Sequence, residues 1–344
     1  MIAIICSKSS VPAKMAEELK SSYSKGILPS VIKRIKRFLY QQRPYQAIYR
    51  VFIKFVLEQY KNKSKKIYVI FDHTTCDDRF LILQFSFMIV GRTLPIWFKV
   101  FDYKDKKNQK YEHLKEGLDA VYELLGEYDF KVIVLADRAF RNVKLFKYIV
   151  KQLKWNFAIR VVGNTLVDIP GNKRIEKLQD IKIKPGQIKK FKNVKLTEAE
   201  YICNLVVSKI KEKPGKYEDT TWYIVTNLEP TEAKKAYEKR FRIEEMFKDL
   251  KSNGFDLEGT WTNNLTYFTN LYMCICMAYT WMISLGSICS KNKHNKEIGA
   301  VKRTRKNVIV RIYSLFSTGI KWFKSCYNNE ERKKLYYSFA IYVS

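Results

Sequence analysis

The sequence predicts an α/β protein in which helices flank a mixed sheet, and a β-rich insertion interrupts it. Two apolar runs that end on an acid, 65–72 and 131–137, are typical of central parallel strands covered on both faces. Amphipathic helical segments at 111–128 and 140–155 alternate with them. The insertion, 165–227, is rich in Lys, Val and Ile, and Pro-Gly pairs divide it into short strands.

Composition predicts a polyanionic partner. The 344-residue chain has 64 Lys and Arg against 34 Asp and Glu, a net charge of +30. Because 47% of its residues are hydrophobic, it can bury a core, which excludes wholesale disorder. Lys and Arg neutralise phosphates, so nucleic acid is the first candidate partner and an anionic membrane surface the second.

The N-terminal region, 1–63, contains a basic helical stretch at 30–62 that Pro44 divides into two helices. Lys33, Arg34, Lys36 and Arg37 form one cationic cluster in it. This cluster is either a solvated helix face or part of a small module that grips DNA.

The first part of the core, 64–164, has the predicted order β-β-β-α-β-α-β. Its strands are expected at 65–72, 81–90, 93–102, 131–137 and 156–164, the first three as an antiparallel meander. The strands at 65–72 and 131–137 are expected to be neighbours. Asp72 and Asp137 would then lie side by side at the carboxyl edge, where open α/β sheets place their sites.

The chain after 164 is predicted to contain short strands at 201–211 and 221–227, both in the insertion. The second part of the core, 228–290, would hold a helix at 231–252, preceded by Pro230 and followed by Gly254. A second, apolar helix is expected at 264–286, and a basic C-terminal region covers 291–344. The apolar stretch 267–289 is long enough to span a membrane, but polar residues interrupt it, which favours a buried core helix.

Four functional groups share one face of the predicted helix 231–252. On an α-helical period, Tyr237, Arg240, Glu244 and Lys251 fall in a stripe about 60° wide, and Glu245 lies outside it. A surface pair between Arg240 and Glu244 would explain part of this pattern and would contribute about 0.2–0.5 kcal/mol.

Three carboxylates, Asp72, Asp137 and Glu244, can converge on one edge of the sheet. Hard oxygen ligands suit Mg²⁺ or Mn²⁺. Two such ions can activate a nucleophilic oxygen and stabilise the leaving oxygen of a phosphodiester. The sequence therefore predicts a two-ion site on these three acids, with the nearby cations holding substrate phosphates.

Three motifs resemble those of the DDE transposases of bacterial insertion sequences, in particular the insertion-sequence-four group. That group has the signature Y-(2)-R-(3)-E-(6)-K, matched here by Tyr237, Arg240, Glu244 and Lys251 without a change in spacing. The D-x-T motif is matched by Asp72-His73-Thr74, and the D-R-G/A-F motif by Asp137-Arg138-Ala139-Phe140. The similarity covers about 64–290.

This resemblance implies an RNase H-like fold and cut-and-paste DNA transposition, with Asp72, Asp137 and Glu244 as catalytic metal ligands. It implies DNA contacts for Tyr237, Arg240 and Lys251, and Arg138 of the second motif joins them. Trp222 sits where relatives have a base-stacking tryptophan, although a packed strand residue is an equal alternative. The implied partners are transposon terminal inverted repeats and target DNA. The resemblance also implies that a homodimer binds them and that no membrane is involved.

Other functional classes fit less well. The strand 131–137 resembles that of an ATPase, but the chain has no GxxxxGK[ST] loop and no GxGxxG motif. A stand-alone nuclease of RNase H-like fold and a domesticated DNA-binding protein without activity stay open as alternatives. The seven scattered cysteines, with no CxxC pair, favour a reducing cytoplasm, and the resemblance implies a bacterial or archaeal, nucleoid-associated protein.

Overall fold

The structure, a computed structural model, divides into two compact units. It describes residues 1–23, 26–89, 91–105, 111–172, 174–197, 200–210, 221–292, 294–305, 307–328 and 339–340. The first unit comprises Met1–Ser64, His73–Tyr128 and Ile243–Ser344, and the second comprises Lys65–Asp72 and Asp129–Arg242. Part of the predicted basic C-terminal region, at 329–338 and 341–344, lies outside the described residues.

The helices of the described residues alternate with strands after an all-helical start. The helices are α1 (Ile2–Ser7), α2 (Pro12–Tyr23), α3 (Leu28–Tyr40), α4 (Tyr45–Tyr60), α5 (Tyr111–Leu125), α6 (Val143–Lys151), α7 (Pro230–Tyr237), α8 (Arg242–Leu250), α9 (Leu265–Lys291) and α10 (Leu315–Asn328). Within the part of the chain that the structure describes, short 3₁₀ segments lie at Arg138–Phe140, Leu178–Asp180, Glu238–Phe241 and Leu257–Gly259.

The strands are β1 (Lys66–Cys76), β2 (Phe80–Ile89), β3 (Arg92–Asp102), β4 (Lys131–Ala136), β5 (Asn156–Val161), β6 (Leu166–Asp168), β7 (Glu176–Lys177), β8 (Ile188–Leu196), β9 (Tyr201–Lys209), β10 (Thr221–Thr226), β11 (Val301–Arg303) and β12 (Ile309–Arg311). The fold class predicted from the sequence, an RNase H-like mixed sheet with flanking helices and a β-rich insertion, is confirmed.

The first unit is built around α9. This helix packs against α1, α3, α4, α10 and β3, and its tyrosine Tyr272 donates a buried hydrogen bond of 2.8 Å to Gln84 on β2. The strands β2 and β3 form an antiparallel pair with a register shift between Phe85 and Ser86. Tyr49 on α4 donates to the carbonyl oxygen of Pro95 at 2.9 Å, which ties this helix to β3.

Among the described residues, α9 alone is long and apolar enough to cross a membrane, with a mean hydropathy of 1.5 over its most apolar window. However, 83% of that window is buried inside the protein. Asn270 and Thr280, two of the residues that interrupt the apolar stretch, have partners: Asn270 donates to two backbone carbonyls of the α3 end, and Thr280 donates to the carbonyl of Cys276. This burial agrees with the prediction of a core helix.

The second unit is a mixed sheet with the hydrogen-bonded strand order β1-β4-β5-β10-β9-β8-β6-β7. The pairs β1–β4 and β4–β5 are parallel, and the remaining pairs are antiparallel. β4 is buried in all but its first residue, as its continuous apolar sequence predicts. α6 covers β5, where Phe146 stacks on Phe157 at 4.9 Å between ring centroids, and α7 packs against β4, β5 and β10.

Several predicted boundaries are wrong. β1 runs on to Cys76, so Asp72 lies within the strand rather than at its end. The predicted helix 231–252 is interrupted by the 3₁₀ segment Glu238–Phe241 and stops at Leu250, which leaves Lys251 in a turn. A 3₁₀ helix has 3.0 residues per turn, so the stripe calculated for one continuous α-helix does not describe this segment.

Candidate active site

The two aspartates of the candidate site lie on adjacent parallel strands of the second unit. The register of β1 and β4 pairs Ile70 with Leu135. Asp72 lies two residues after Ile70, and Asp137 lies two residues after Leu135. Both aspartates therefore follow the last paired residues of their strands by the same distance along the chain. Both side chains are half-buried. The predicted neighbourhood of the two strands is therefore confirmed.

Arg240 provides the positive charge next to Asp72. One guanidinium nitrogen, Nη1, lies 3.2 Å from Oδ2 of Asp72. The Arg240 side chain is 5% exposed and that of Asp72 is 22% exposed, so the pair is screened from bulk water. Burial of an arginine requires a partner of this kind because an unpaired buried charge is costly.

Tyr237 lies beside Asp137 in the same way. Its hydroxyl donates to Oδ1 of Asp137 over 3.4 Å, and its ring is fully buried. Burial raises the pKa of Tyr237 far above its ordinary value, and Asp137 adds to this effect while Arg240 opposes it. The phenol is therefore neutral at physiological pH and acts as a hydrogen-bond donor.

An aromatic cluster fixes both of these side chains. Trp222 on β10 contacts the ring of Tyr237 edge-on at 5.5 Å and stacks on Phe241 at 5.3 Å between centroids. The Arg240 guanidinium carbon lies 4.6 Å from the centre of the Phe241 ring. Trp222 is half-buried in this cluster, which is the packing alternative stated above for this residue.

Two further arginines belong to this part of the second unit. Arg138 is exposed in the 3₁₀ segment that begins directly after Asp137. Arg160 on β5 donates to the carbonyl of Thr221 at 3.1 Å, and its charge acts on the Tyr237 hydroxyl. The sequence analysis missed Arg160; the signal that could have revealed it is a cation within the apolar strand FAIRVV.

Glu244 and Lys251 belong to the first unit. Glu244 is exposed in the first turn of α8, where a carboxylate interacts favourably with the helix dipole. Lys251 follows α8 and pairs with Glu258 at 2.9 Å. Arg240 of the second unit contacts Asp72, 168 residues away in the sequence.

Arg92 anchors α8 within the first unit. Its Nη1 lies 3.2 Å from Glu245 and 3.2 Å from Asp249, which are one helical turn apart. Burial raises the pKa of Asp249 to about 6, although Arg92 opposes the shift. The helix that carries Glu244 is therefore fixed by residues that the sequence analysis did not single out.

Carboxylates of this kind fit a divalent cation by their chemistry. Asp72 and Asp137 offer hard oxygen ligands, and each has one oxygen within reach of a neutralising or donating group. Within the part of the chain that the structure describes, no three His, Cys, Asp or Glu side chains are grouped closely enough to hold a metal ion. Asp72 and Asp137, on the adjacent strands β1 and β4, are therefore two candidate ligands.

Comparison with known proteins identifies the family. The family model described as Transposase DDE domain matches residues 46–281, more than half of the chain. The chain belongs to the transposase DDE domain family. DDE transposases are enzymes that act on DNA and generally use divalent metal ions.

The other comparisons add little to the DDE assignment. No curated protein matches the chain. Among solved structures, it is similar to the X-ray structure of Marinitoga piezophila Argonaute in complex with a 5′ OH guide RNA and target DNA. That similarity has 13% identity and a TM-score of 0.26, and it covers 65% of this chain but 29% of the Argonaute. The chain thus spans less than a third of that protein's length.

Proposed function

We propose that this protein is a cut-and-paste transposase of the insertion-sequence-four type. It cleaves DNA at the ends of a transposon and joins those ends to target DNA. The proposal depends on the contacts of the two aspartates. Arg240 pairs with Asp72 and Tyr237 donates to Asp137, and both belong to the Y-(2)-R-(3)-E-(6)-K signature. If these residues only formed the solvated face of a helix, Arg240 and Tyr237 would not be buried.

Asp72, Asp137 and Glu244 are the proposed ligands of two Mg²⁺ or Mn²⁺ ions. When bound, such ions activate the attacking oxygen and stabilise the leaving oxygen of the scissile phosphodiester. Arg240 holds Oδ2 of Asp72, and the neutral phenol of Tyr237 donates to Oδ1 of Asp137, so the two carboxylates keep a fixed orientation. The aromatic cluster of Trp222 and Phe241 packs against the Tyr237 ring, and Phe241 packs against the Arg240 guanidinium.

The surface cations provide the proposed path for DNA. Lys33, Arg34, Lys36 and Arg37 are all exposed on α3 and belong to the proposed N-terminal DNA-binding region. Three of them, with Tyr40 and Gln41, line an open cavity of about 380 Å³. Arg138 is exposed beside Asp137, and Lys251 is half-buried in its ion pair with Glu258. Whether Tyr237, Arg240 and Trp222 also touch DNA stays a prediction, because all three are packed inside the second unit.

The test uses a plasmid that carries the coding region with its native flanking DNA, incubated with the purified protein and Mg²⁺ or Mn²⁺. Asp72→Asn, Asp137→Asn and Glu244→Gln should each abolish excision while leaving DNA binding largely intact. The matched control is Glu238→Gln, which removes an exposed surface pair with Lys234 on the adjoining segment. Excision by any of the three variants at near wild-type rate would remove that residue from the site.

The same reaction separates the alternatives. A stand-alone nuclease would cut the plasmid, but it would never join the released ends to a target molecule. A DNA-binding protein without activity would shift the plasmid in a gel and leave it uncut with either ion. Joining of two ends to one target also requires that both be held together, which we propose a homodimer does.

A further inference from the structure

Trp261 is the one tryptophan of this chain that lies in solvent. Of the six tryptophans, three are buried, Trp222 and Trp281 are half-buried, and Trp261 is 92% exposed. It lies between the 3₁₀ segment Leu257–Gly259 and α9. A side chain with so large an apolar surface is normally covered, and exposed tryptophans are enriched where a partner binds.

The loop that carries Trp261 is firmly held on both sides of the indole. Arg79 donates to the carbonyl oxygens of Thr260 and Thr262, the latter at 3.0 Å, and to that of Glu258 at 3.4 Å. The Arg79 side chain is itself fixed by Asp77 at 2.6 Å. Because the residues before and after Trp261 are bonded to one guanidinium, the exposure of the indole is a property of the folded loop and not of a frayed segment.

Hydrogen bonds connect this loop to the rest of the first unit. Asn264, three residues after Trp261, caps α9 by accepting from the backbone N–H of Tyr267 at 2.8 Å. Glu258, three residues before it, pairs with Lys251 of the signature. The loop is therefore attached directly to the segment that follows Glu244.

The basic helix α3 ends at the same end of α9. Asn270 donates to the carbonyls of Leu39 and Gln41 at 2.9 Å and 2.8 Å, and the rings of Tyr40 and Tyr267 meet at 5.0 Å. The first two turns of α9 thus join the Trp261 loop to the helix that exposes Lys33, Arg34, Lys36 and Arg37. An exposed aromatic face and a group of exposed cations are therefore attached to one helix, α9.

This combination fits the chemistry of single-stranded DNA. Bases stack on aromatic side chains, and cations follow the backbone of the strand. We propose that Trp261 stacks on an unpaired base of DNA whose phosphates are held by the cations of α3. The inference rests on the proposed function, in that DNA is the substrate, and it adds a residue that positions the strand.

The experiment compares two 20-nucleotide ligands with the same number of phosphates: oligothymidylate and a strand in which every nucleotide is abasic. Trp261→Ala should bind oligothymidylate about 5- to 150-fold more weakly than wild type, the loss expected for one base stack. Its affinity for the abasic strand should be unchanged, and so should the salt dependence of binding, because no charge is removed. Trp261→Phe, which keeps a stacking face, should retain most of the affinity.

Tyr122→Ala is the matched control. Tyr122 is another exposed aromatic residue, on α5, but its sequence neighbour is the acidic Glu123. This variant should bind both strands as wild type does. A second readout is intrinsic fluorescence. Oligothymidylate should quench wild-type emission, and Trp261→Phe should lose most of that quenching because the other five indoles are buried or half-buried.

Each unfavourable outcome has a distinct meaning. If Trp261→Ala binds oligothymidylate as tightly as wild type, the stacking proposal is wrong while the proposed function stands. If the wild type binds neither strand nor duplex DNA, both fail together. If Trp261→Ala leaves DNA binding intact but shifts the sedimentation of the protein to a smaller species, the indole is a contact between two copies of this chain, and the stacking proposal is overturned.

Discussion

Arg240 and Tyr237, which contact Asp72 and Asp137, are themselves buried. Their burial determines how strongly their replacement should affect stability. Arg240 is closed off from solvent by Phe241 and pairs with Asp72, whereas Tyr237 lies between Trp222 and Asp137. Loss of either side chain removes packing as well as a polar contact. Variants must therefore be chosen so that the two effects are separated.

The Arg240–Asp72 pair should show a measurable coupling. We expect Arg240→Gln to lower the free energy of unfolding by about 1–3 kcal/mol, because a hydrogen-bonded charge pair in a screened setting is removed. In the double variant Arg240→Gln, Asp72→Asn part of this loss should be recovered, since the carboxylate no longer lacks its counter-charge. Urea unfolding of the four proteins of the cycle measures the coupling, and additive effects would show that the 3.2 Å contact contributes nothing.

Tyr237 allows the hydroxyl and the ring to be tested one at a time. Tyr237→Phe should cost about 1 kcal/mol or less, because a hydrogen bond of 3.4 Å is weak and the ring contacts with Trp222 and Phe241 remain. Tyr237→Ala should cost about 3–5 kcal/mol through the cavity that it leaves. If both variants unfold at the same urea concentration, the packing argument for this residue fails.

At the scale of single elements, α8 depends on the charge state of Asp249. The groups facing this carboxyl are Arg92 at the start of β3, Glu245 on α8 and Tyr279 on α9. The pKa is raised to about 6 in the folded protein, from an ordinary value of 3.8. The folded state therefore binds the proton more tightly than the unfolded state, and the stability gained below about pH 4 is lost as pH rises through 6.

Asp249→Asn should remove this dependence. The amide resembles the protonated acid, so we expect the variant to match wild type near pH 4 and to exceed it near pH 7.5. The gain should be on the order of 3 kcal/mol. Thermal melts across this range measure the effect. The control is Asp119→Asn on α5, which removes the charge of a carboxylate in a surface pair with Lys115. A wild-type advantage at pH 7.5 would mean that the Arg92 pair outweighs the cost of burial.

α9 and α10 approach each other closely at two glycines. A Cβ added to Gly286 would lie 1.9 Å from the carbonyl oxygen of Leu315, and one added to Gly319 would lie 1.9 Å from that of Met282. We expect Gly286→Ala and Gly319→Ala each to destabilise the protein by about 1–3 kcal/mol or more, although alanine is otherwise the better helix former. Thermal melts test this, with Ser290→Ala near the end of α9 as the control; melting temperatures equal to wild type would show that the helices can separate.

The sequence was sufficient to predict the neighbouring strands β1 and β4, but not the 3₁₀ segment that carries Arg240. The adjacency of Asp72 and Asp137 was predictable because apolar runs of this kind form neighbouring parallel strands. The 3₁₀ segment Glu238–Phe241 was not, because it contains no Pro or Gly and its conformation accompanies tertiary packing of Tyr237 and Phe241 on Trp222. The same limit applies to the contact of Arg240 with Asp72 on β1, which the residues near Arg240 in the sequence do not indicate.

Trp261 shows a second kind of limit. A lone aromatic residue in the polar run TWTNN could be covered or exposed, and only the hydrogen bonds of Arg79 decide which. The burial of α9 inside the protein, by contrast, was predictable from the sequence. Its polar residues indicated that partners must exist inside the protein, and Asn270 has them.

For the whole molecule, charge is the dominant property. A chain of net charge +30 should bind duplex DNA with an affinity that falls steeply as salt is added. Replacement of Lys33, Arg34, Lys36 and Arg37 by Ala should reduce the slope of log affinity against log salt by up to about 3.6, or about 0.9 for each phosphate that is no longer neutralised. The charge-preserving variant Lys33→Arg, Lys36→Arg should keep the wild-type slope. Binding titrations at several KCl concentrations measure both slopes. An unchanged slope in the alanine variant would mean that the four cations form only a solvated face of α3.

The interleaving of the two units along the chain also governs how the protein can fold during its synthesis. The first unit begins at Met1 but needs α9, which starts only at Leu265. At a synthesis rate of about 5–20 residues per second, the apolar faces of α3, α4 and the β2–β3 pair remain without the helix that covers them for on the order of 10 seconds or more. Because those faces stay exposed until then, we expect a chain that is truncated before α9 to aggregate.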